Sequence, residues 1–163
     1  MKISILLPYK ENFSPIYPGA VSLFVRDTVN ISKYKNKITI YGNTNFKELF
    51  KLRYKNIPLS KFRLQSKSKI YVNNFISIEK EKPSELIEIH NRPNYLSELV
   101  NNLSKRNYVL YFHNDPLTMT GSKTINQRKF LLKNCFKIIF NSNWSKKRFL
   151  EGMQNKFVNS EKL

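Results

Sequence analysis

Five short apolar runs punctuate the chain, at residues 3–7, 38–41, 86–89, 109–112 and 138–140, and most of them lack strict alternation of apolar and polar residues. A strand that alternates buries one face, whereas a strand apolar on both faces belongs in a parallel sheet covered by helices on each side. The stretches between the runs supply such helices. Val21, Phe24, Val25 and Val29 recur at helical spacing, as do Tyr71, Val72, Phe75 and Ile78, and again Tyr95, Leu96, Leu99, Val100 and Leu103. Strands that alternate with helices imply right-handed crossovers, so the expected fold is α/β: a Rossmann-like, mostly parallel sheet with helices on both faces. Boundary residues agree. Pro93 suits the first turn of the third helix, the last helix begins near Ser142 or Asn143, and Gly152 can cap its end. With 163 residues, no internal repeat and no Gly/Ser-rich or Pro-rich linker, the chain reads as one continuous domain.

The net charge of +18 raises nucleic acid or an anionic membrane as a partner. Its make-up argues against a dedicated nucleic-acid role. Of the 29 basic residues 22 are Lys and 7 are Arg, while Asn occurs 20 times and Ala once, which resembles A/T-rich codon bias. Nucleic-acid readers lean on the planar Arg fork for bidentate contacts that a Lys point charge does not make. No apolar run approaches the length of a membrane span, and residues 3–7 are too short for a signal peptide, so a cytoplasmic location is expected. Cys135 is the single cysteine, which excludes an internal disulfide and a multi-cysteine metal centre. It follows Leu131 and Leu132 at the end of a helix, the place of a small buried hydrophobe.

In an open α/β sheet the ligand crevice lies beyond the carboxyl ends of the strands. The residues just after each run therefore carry the most information: 8–19, then Gly42 and Asn43, then His90, Asn91 and Arg92, then His113, Asn114 and Asp115, and finally Asn141, Ser142 and Asn143. Both histidines of the chain fall in this set, each followed by Asn. A single strand-end histidine is commonly bonded to a backbone carbonyl; two together favour a site. The four glycines spell neither a dinucleotide fingerprint nor a P-loop, which argues against hydride transfer and NTP hydrolysis. Neither histidine stands in a zinc-ligand pattern, so no metal is expected. What remains is amides, hydroxyls, two imidazoles and an Arg, groups suited to sugar hydroxyls and phosphates.

These segments occur in a telling order. A strand ends at Pro8, a loop closes on Tyr17-Pro18-Gly19-Ala20, and a helix and the strand 37–41 follow. Then come Glu85-Leu86-Ile87-Glu88-Ile89-His90-Asn91-Arg92-Pro93, Val109-Leu110-Tyr111-Phe112-His113-Asn114-Asp115-Pro116, and Ile138-Ile139-Phe140-Asn141-Ser142-Asn143-Trp144. The whole resembles the N-terminal, acceptor-side domain of a GT-B fold glycosyltransferase of family 4. The resemblance implies one half of a GT-B architecture: residues 1–155 as a Rossmann-like domain and 156–163 as the start of a connection to a C-terminal donor-binding domain, with Glu161-Lys162-Leu163 resembling the beginning of the next strand.

It also implies transfer of a sugar from a nucleotide-sugar to a cell-envelope or other glycan acceptor, with retention at the anomeric carbon and with no cofactor or metal beyond that substrate. Gly19 and Ala20 match the turn whose N–H groups approach the donor diphosphate, with Pro18 where the family has a first glycine. His113 matches the histidine facing the donor sugar, as the catalytic residue. His90, Asn91, Arg92, Asn114, Asp115, Ser142 and Asn143 match positions for acceptor and sugar contact. Four of them have a plainer reading as well: Arg92 as a solvated helix-start residue, Ser142 and Asn143 as helix caps, Asp115 as the acceptor of a turn at Pro116. Glu88 shares a strand face with His90 and has no role at this level.

Residues 46–69 mix Phe46, Leu49, Phe50, Leu52, Tyr54, Leu59, Phe62 and Leu64 with Lys47, Lys51, Arg53, Lys55, Lys61, Arg63, Lys67 and Lys69, a pattern that can rest on anionic lipid at the inner face of the membrane or form an ordinary surface in a Lys-rich chain. Two other functions stay open beside sugar transfer: a stand-alone sugar or nucleotide-binding module, and a basic nucleic-acid-binding protein.

Overall fold

The computed structural model describes residues 1–59, 65–103, 105–154 and 160–163. All five apolar runs form strands: β1 (Ile3–Leu6), β2 (Ile38–Gly42), β4 (Leu86–His90), β5 (Asn107–Phe112) and β6 (Lys137–Phe140), with a short β3 (Tyr54–Asn56) between β2 and β4. The helices are α1 (Ala20–Ile31), α2 (Lys67–Glu81), α3 (Tyr95–Asn102), α4 (Ile125–Asn134) and α5 (Asn143–Leu150). Strand order is β3-β2-β1-β4-β5-β6, and every neighbouring pair is parallel. This is the Rossmann-like, doubly wound arrangement expected from the sequence, with its switch point between β1 and β4.

Period-two alternation sorts the strand residues into two cores. Ile3, Ile5, Ile38 and Ile40 face α1, meeting Val21, Val25 and Val29 and, from the loop after β1, Leu7 and Phe13. Leu6, Tyr41, Ile87, Ile89, Leu110, Phe112 and Ile138 face the other way, onto α2, α3, α4 and α5. Each such side chain taken fully out of water contributes about 2 kcal/mol before the entropy of ordering it is set against that gain. Cys135 is buried in the second core, and its thiol is pushed up to about 12 by that burial, as fits an inert hydrophobe.

Local chemistry fixes the helix ends. Ser66 caps α2 through Lys69 N–H, Thr124 and Gln127 form a reciprocal capping box on α4, and Ser142 caps α5 by accepting from Ser145 N–H at 3.1 Å. Gly152 follows the end of α5 in the left-handed region, at φ 73°. Glu161 and Lys162, which with Leu163 resemble the beginning of a strand, instead belong to a 3₁₀ turn (Ser160–Lys162); Lys137 Nζ donates to Glu161 O, and Lys162 Nζ donates to Leu132 O. Those two bonds tie the turn back onto β6 and α4.

The stretch 46–69 is divided by the fold. Phe50, Leu52 and Tyr54 pack on the α1-side core, where Phe13 meets Phe50 edge-on and stacks on Tyr54, while Leu59 packs on the other core. Lys47, Lys51, Arg53, Lys55 and Lys69 remain exposed. Lys61, Phe62, Arg63 and Leu64 lie outside the described residues. Among the described residues no helix is long and apolar enough to cross a membrane.

Candidate functional site

At the carboxyl ends of β1, β4 and β5, where the strand order reverses, an open cavity of about 600 Å³ is lined by Pro8, Glu11, Ala20, Val21, Phe24, Asn91, Arg92, His113, Asn114 and Asn141. Five residues singled out in the sequence therefore converge: Ala20, Asn91, Arg92, His113 and Asn114. The strand-end loops that present them are held by backbone and amide bonds. Asn91, at φ 56°, donates its N–H to Tyr111 O at 2.8 Å and accepts from His113 N–H through Oδ1 at 3.3 Å. Asn141 Nδ2 donates to His113 O at 2.9 Å. The histidine backbone is thus fixed from β4 on one side and β6 on the other.

His90 lies behind His113 rather than on the cavity. Its side chain is 1% exposed, and its Nδ1 stands 3.0 Å from His113 Nε2. Tyr111 stacks on His90 at 4.5 Å, and Phe24 meets His113 edge-on at 4.9 Å. Burial, helped by the neighbouring His90, pushes the His113 imidazole down to about 4, so at neutral pH it is uncharged. A neutral imidazole offers one donor and one acceptor, the inventory for a hydroxyl rather than for a fixed ionic contact.

Gly19 is the N-cap of α1 and provides no side-chain cap. That role falls to Glu11, whose Oε1 accepts from Ser22 N–H at 2.9 Å. A Cβ on Gly19 would lie 1.8 Å from the same oxygen, so a glycine there admits the carboxylate. The positive end of α1 is therefore occupied by an internal anion at the place where the sequence reading put a diphosphate. Arg92 lines the cavity's opposite wall, its Nη1 bonded to Asn91 O at 2.8 Å.

The remaining residues stand apart. Asp115 caps the 3₁₀ turn Pro116–Thr118 through Leu117 N–H and pairs with Arg148 at 3.2 Å. Burial works against its charge, but Leu117 N–H and Arg148 together hold the carboxyl below its usual range. Ser142 and Asn143 line a separate concavity beside β6 with Lys146 and Leu163. Of the cavity's residues, Pro8, Glu11, Val21, Phe24 and Asn141 were not assigned to the site from sequence; Pro8, Glu11 and Asn141 did fall in the strand-end segments, whereas Val21 and Phe24 read only as helix core. Among the described residues no group of three or more His, Cys, Asp or Glu side chains is placed to hold a metal ion.

Strand order, switch-point cavity and helices on both faces define the class: a Rossmann-like α/β domain. The same fold occurs in a solved crystal structure, that of Anabaena Alr3699/HepE in complex with UDP and glucose, to which this chain is similar with a TM-score of 0.65 and 16% identity. The similarity covers 98% of this chain and 43% of that one, so the chain spans less than half the length of that protein. No protein-family model matches the sequence, and no curated protein does.

Proposed function

We propose that this chain is the acceptor-side half of a GT-B glycosyltransferase, of the family 4 type, which transfers a sugar from a nucleotide-sugar to a glycan or lipid-linked acceptor with retention. The observation that carries this reading is the cavity at the β1/β4 switch point, where a neutral His113, the amides of Asn91, Asn114 and Asn141, and the cation of Arg92 share one wall system. That set recognises hydroxyls and an anionic group together, the chemistry of a sugar phosphate ester. The fold shared with a protein that binds UDP and glucose supports it.

In this reading His113 contacts a sugar hydroxyl, Arg92 meets an anionic group of donor or acceptor, and the N–H groups at Ala20 receive a donor phosphate once the Glu11 side chain swings aside. A second Rossmann-like domain holds most of the nucleotide. Half a cleft cannot orient two substrates, and orientation supplies much of the rate enhancement. Residues 1–163 alone therefore show no sugar transfer from UDP-glucose, whereas the same chain joined to a donor-binding domain does. In the joined protein His113→Ala lowers turnover by about tenfold or more, the cost of one buried hydrogen bond to substrate. Robust transfer by residues 1–163, or full activity of the His113→Ala protein, overturns the reading.

A further inference from the structure

The buried histidine and the strand carboxylate beside it decide which face of His113 the cavity sees. His90 Nδ1 and His113 Nε2 are 3.0 Å apart, a hydrogen bond that holds one proton. On its other side His90 Nε2 is buried without a hydrogen-bond partner, and Glu88 Oε2 stands 3.6 Å away. A neutral His90 can carry its proton on either nitrogen. With the proton on Nδ1, His90 donates to His113, and its Nε2 lone pair faces a carboxylate, acceptor against acceptor, where the ring is 1% exposed. With the proton on Nε2, the same contact becomes attraction between an N–H dipole and a negative charge, strengthened by the low local polarity. The second state is favoured, and it propagates. His90 Nδ1 becomes the acceptor, His113 must donate from Nε2, and His113 Nδ1 is left as a lone pair with no partner among the described residues.

We propose that Glu88 and His90 are positioning residues that fix His113 as its Nε2–H tautomer, so that the cavity presents an acceptor nitrogen and the ligand group seated there is a hydroxyl that donates to it. Tyr111 stacked on His90 and Phe24 edge-on to His113 hold both ring planes and oppose the ring flips that would scramble this order. The identity of the hydroxyl as a sugar's rests on the sugar-transfer reading; the tautomer does not.

Because the chain has two histidines, long-range proton–nitrogen spectra of the ¹⁵N-histidine-labelled protein at neutral pH contain two ring systems. The expected spectrum shows both rings protonated at Nε2, with unprotonated Nδ1 nitrogens. A proton on His113 Nδ1 overturns the proposal outright, with no variant needed. Glu88→Gln, which keeps size and removes the charge, is expected to shift His113 toward a mixture of tautomers; an unchanged spectrum removes Glu88 from the role. Glucose and UDP-glucose, added separately, are expected to shift the His113 Nδ1 resonance. If the tautomer is as expected and neither sugar shifts it, the hydroxyl assignment falls while the Glu88–His90 relay stands; the sugar-transfer reading is decided by the transfer assay on the chain joined to a donor-binding domain.

Discussion

His113 gives the site a pH signature that is independent of any substrate. Its imidazole is pushed from the ordinary 6.5 down to about 4 in the folded chain, because burial and the neighbouring His90 disfavour the charged ring. Between those values the unfolded chain binds a proton that the folded chain does not, so acid favours unfolding. Stability from this group is present above about 6.5 and is lost as pH falls toward 4. Asp115, whose carboxyl lies below its usual range, acts at still lower pH, so the two windows separate. Urea midpoints measured from pH 7 down to pH 4 should therefore fall more steeply for the parent than for His113→Gln; parallel curves would contradict the buried, neutral ring. The sequence made His113, Asn91, Arg92 and Asn114 legible because each directly follows an apolar run, and strand ends converge. Glu11 was not legible: its carboxylate reaches the α1 N-terminus across a loop, and no fixed spacing marks such a cap. Glu88 looked unexplained for a similar reason, since its meaning depends on a ring pair formed between two strands.

At the level of elements, the five buried strands and the helices between them followed from apolar runs and helical spacing, and β3 did not. Tyr54–Asn56 is three residues long, half-buried to exposed, and lies at the sheet edge, so it carries no apolar run to announce it. What holds α2 to the sheet was equally hidden. Glu79, with 0% exposure, accepts from Ser4 Oγ on β1 and from both N–H and Oγ of Ser84 just before β4, the latter two at 3.0 and 2.8 Å. One carboxylate thus joins a helix to the starts of two central strands, and three donors lose their partner if it is removed. Glu79→Ala should cost about 3 kcal/mol, the scale for breaking buried hydrogen bonds to a charged group, and lower the urea midpoint with little change in slope. A loss below about 0.5 kcal/mol, the level of an ordinary surface substitution, would show that the latch is not what secures α2.

For the whole molecule the question is where a net charge of +18 is placed. The candidate site holds one cation, Arg92, and one carboxylate, Glu11, so the excess is not there. At the opposite, amino-terminal ends of the strands, Lys2, Lys37, Arg53, Lys55 and Lys82 surround a concavity of about 340 Å³ that no carboxylate lines. Because Phe50, Leu52, Tyr54, Ile57 and Leu59 of the adjoining stretch turn toward the two cores, what this concavity offers a membrane is mainly charge. Contact with anionic lipid would then be electrostatic, about 1 kcal/mol for each Lys or Arg held near the surface, and screened once the Debye length falls below the charge separation. Vesicles containing phosphatidylserine should pellet the protein at low salt, phosphatidylcholine vesicles should not, and raising the salt should release it. Arg53→Glu with Lys55→Glu should weaken the pelleting while leaving the tautomer of His113, at the other end of the sheet, unchanged. Binding that survives high salt, or equal binding to neutral vesicles, would mean that an apolar surface rather than this charged end makes the contact.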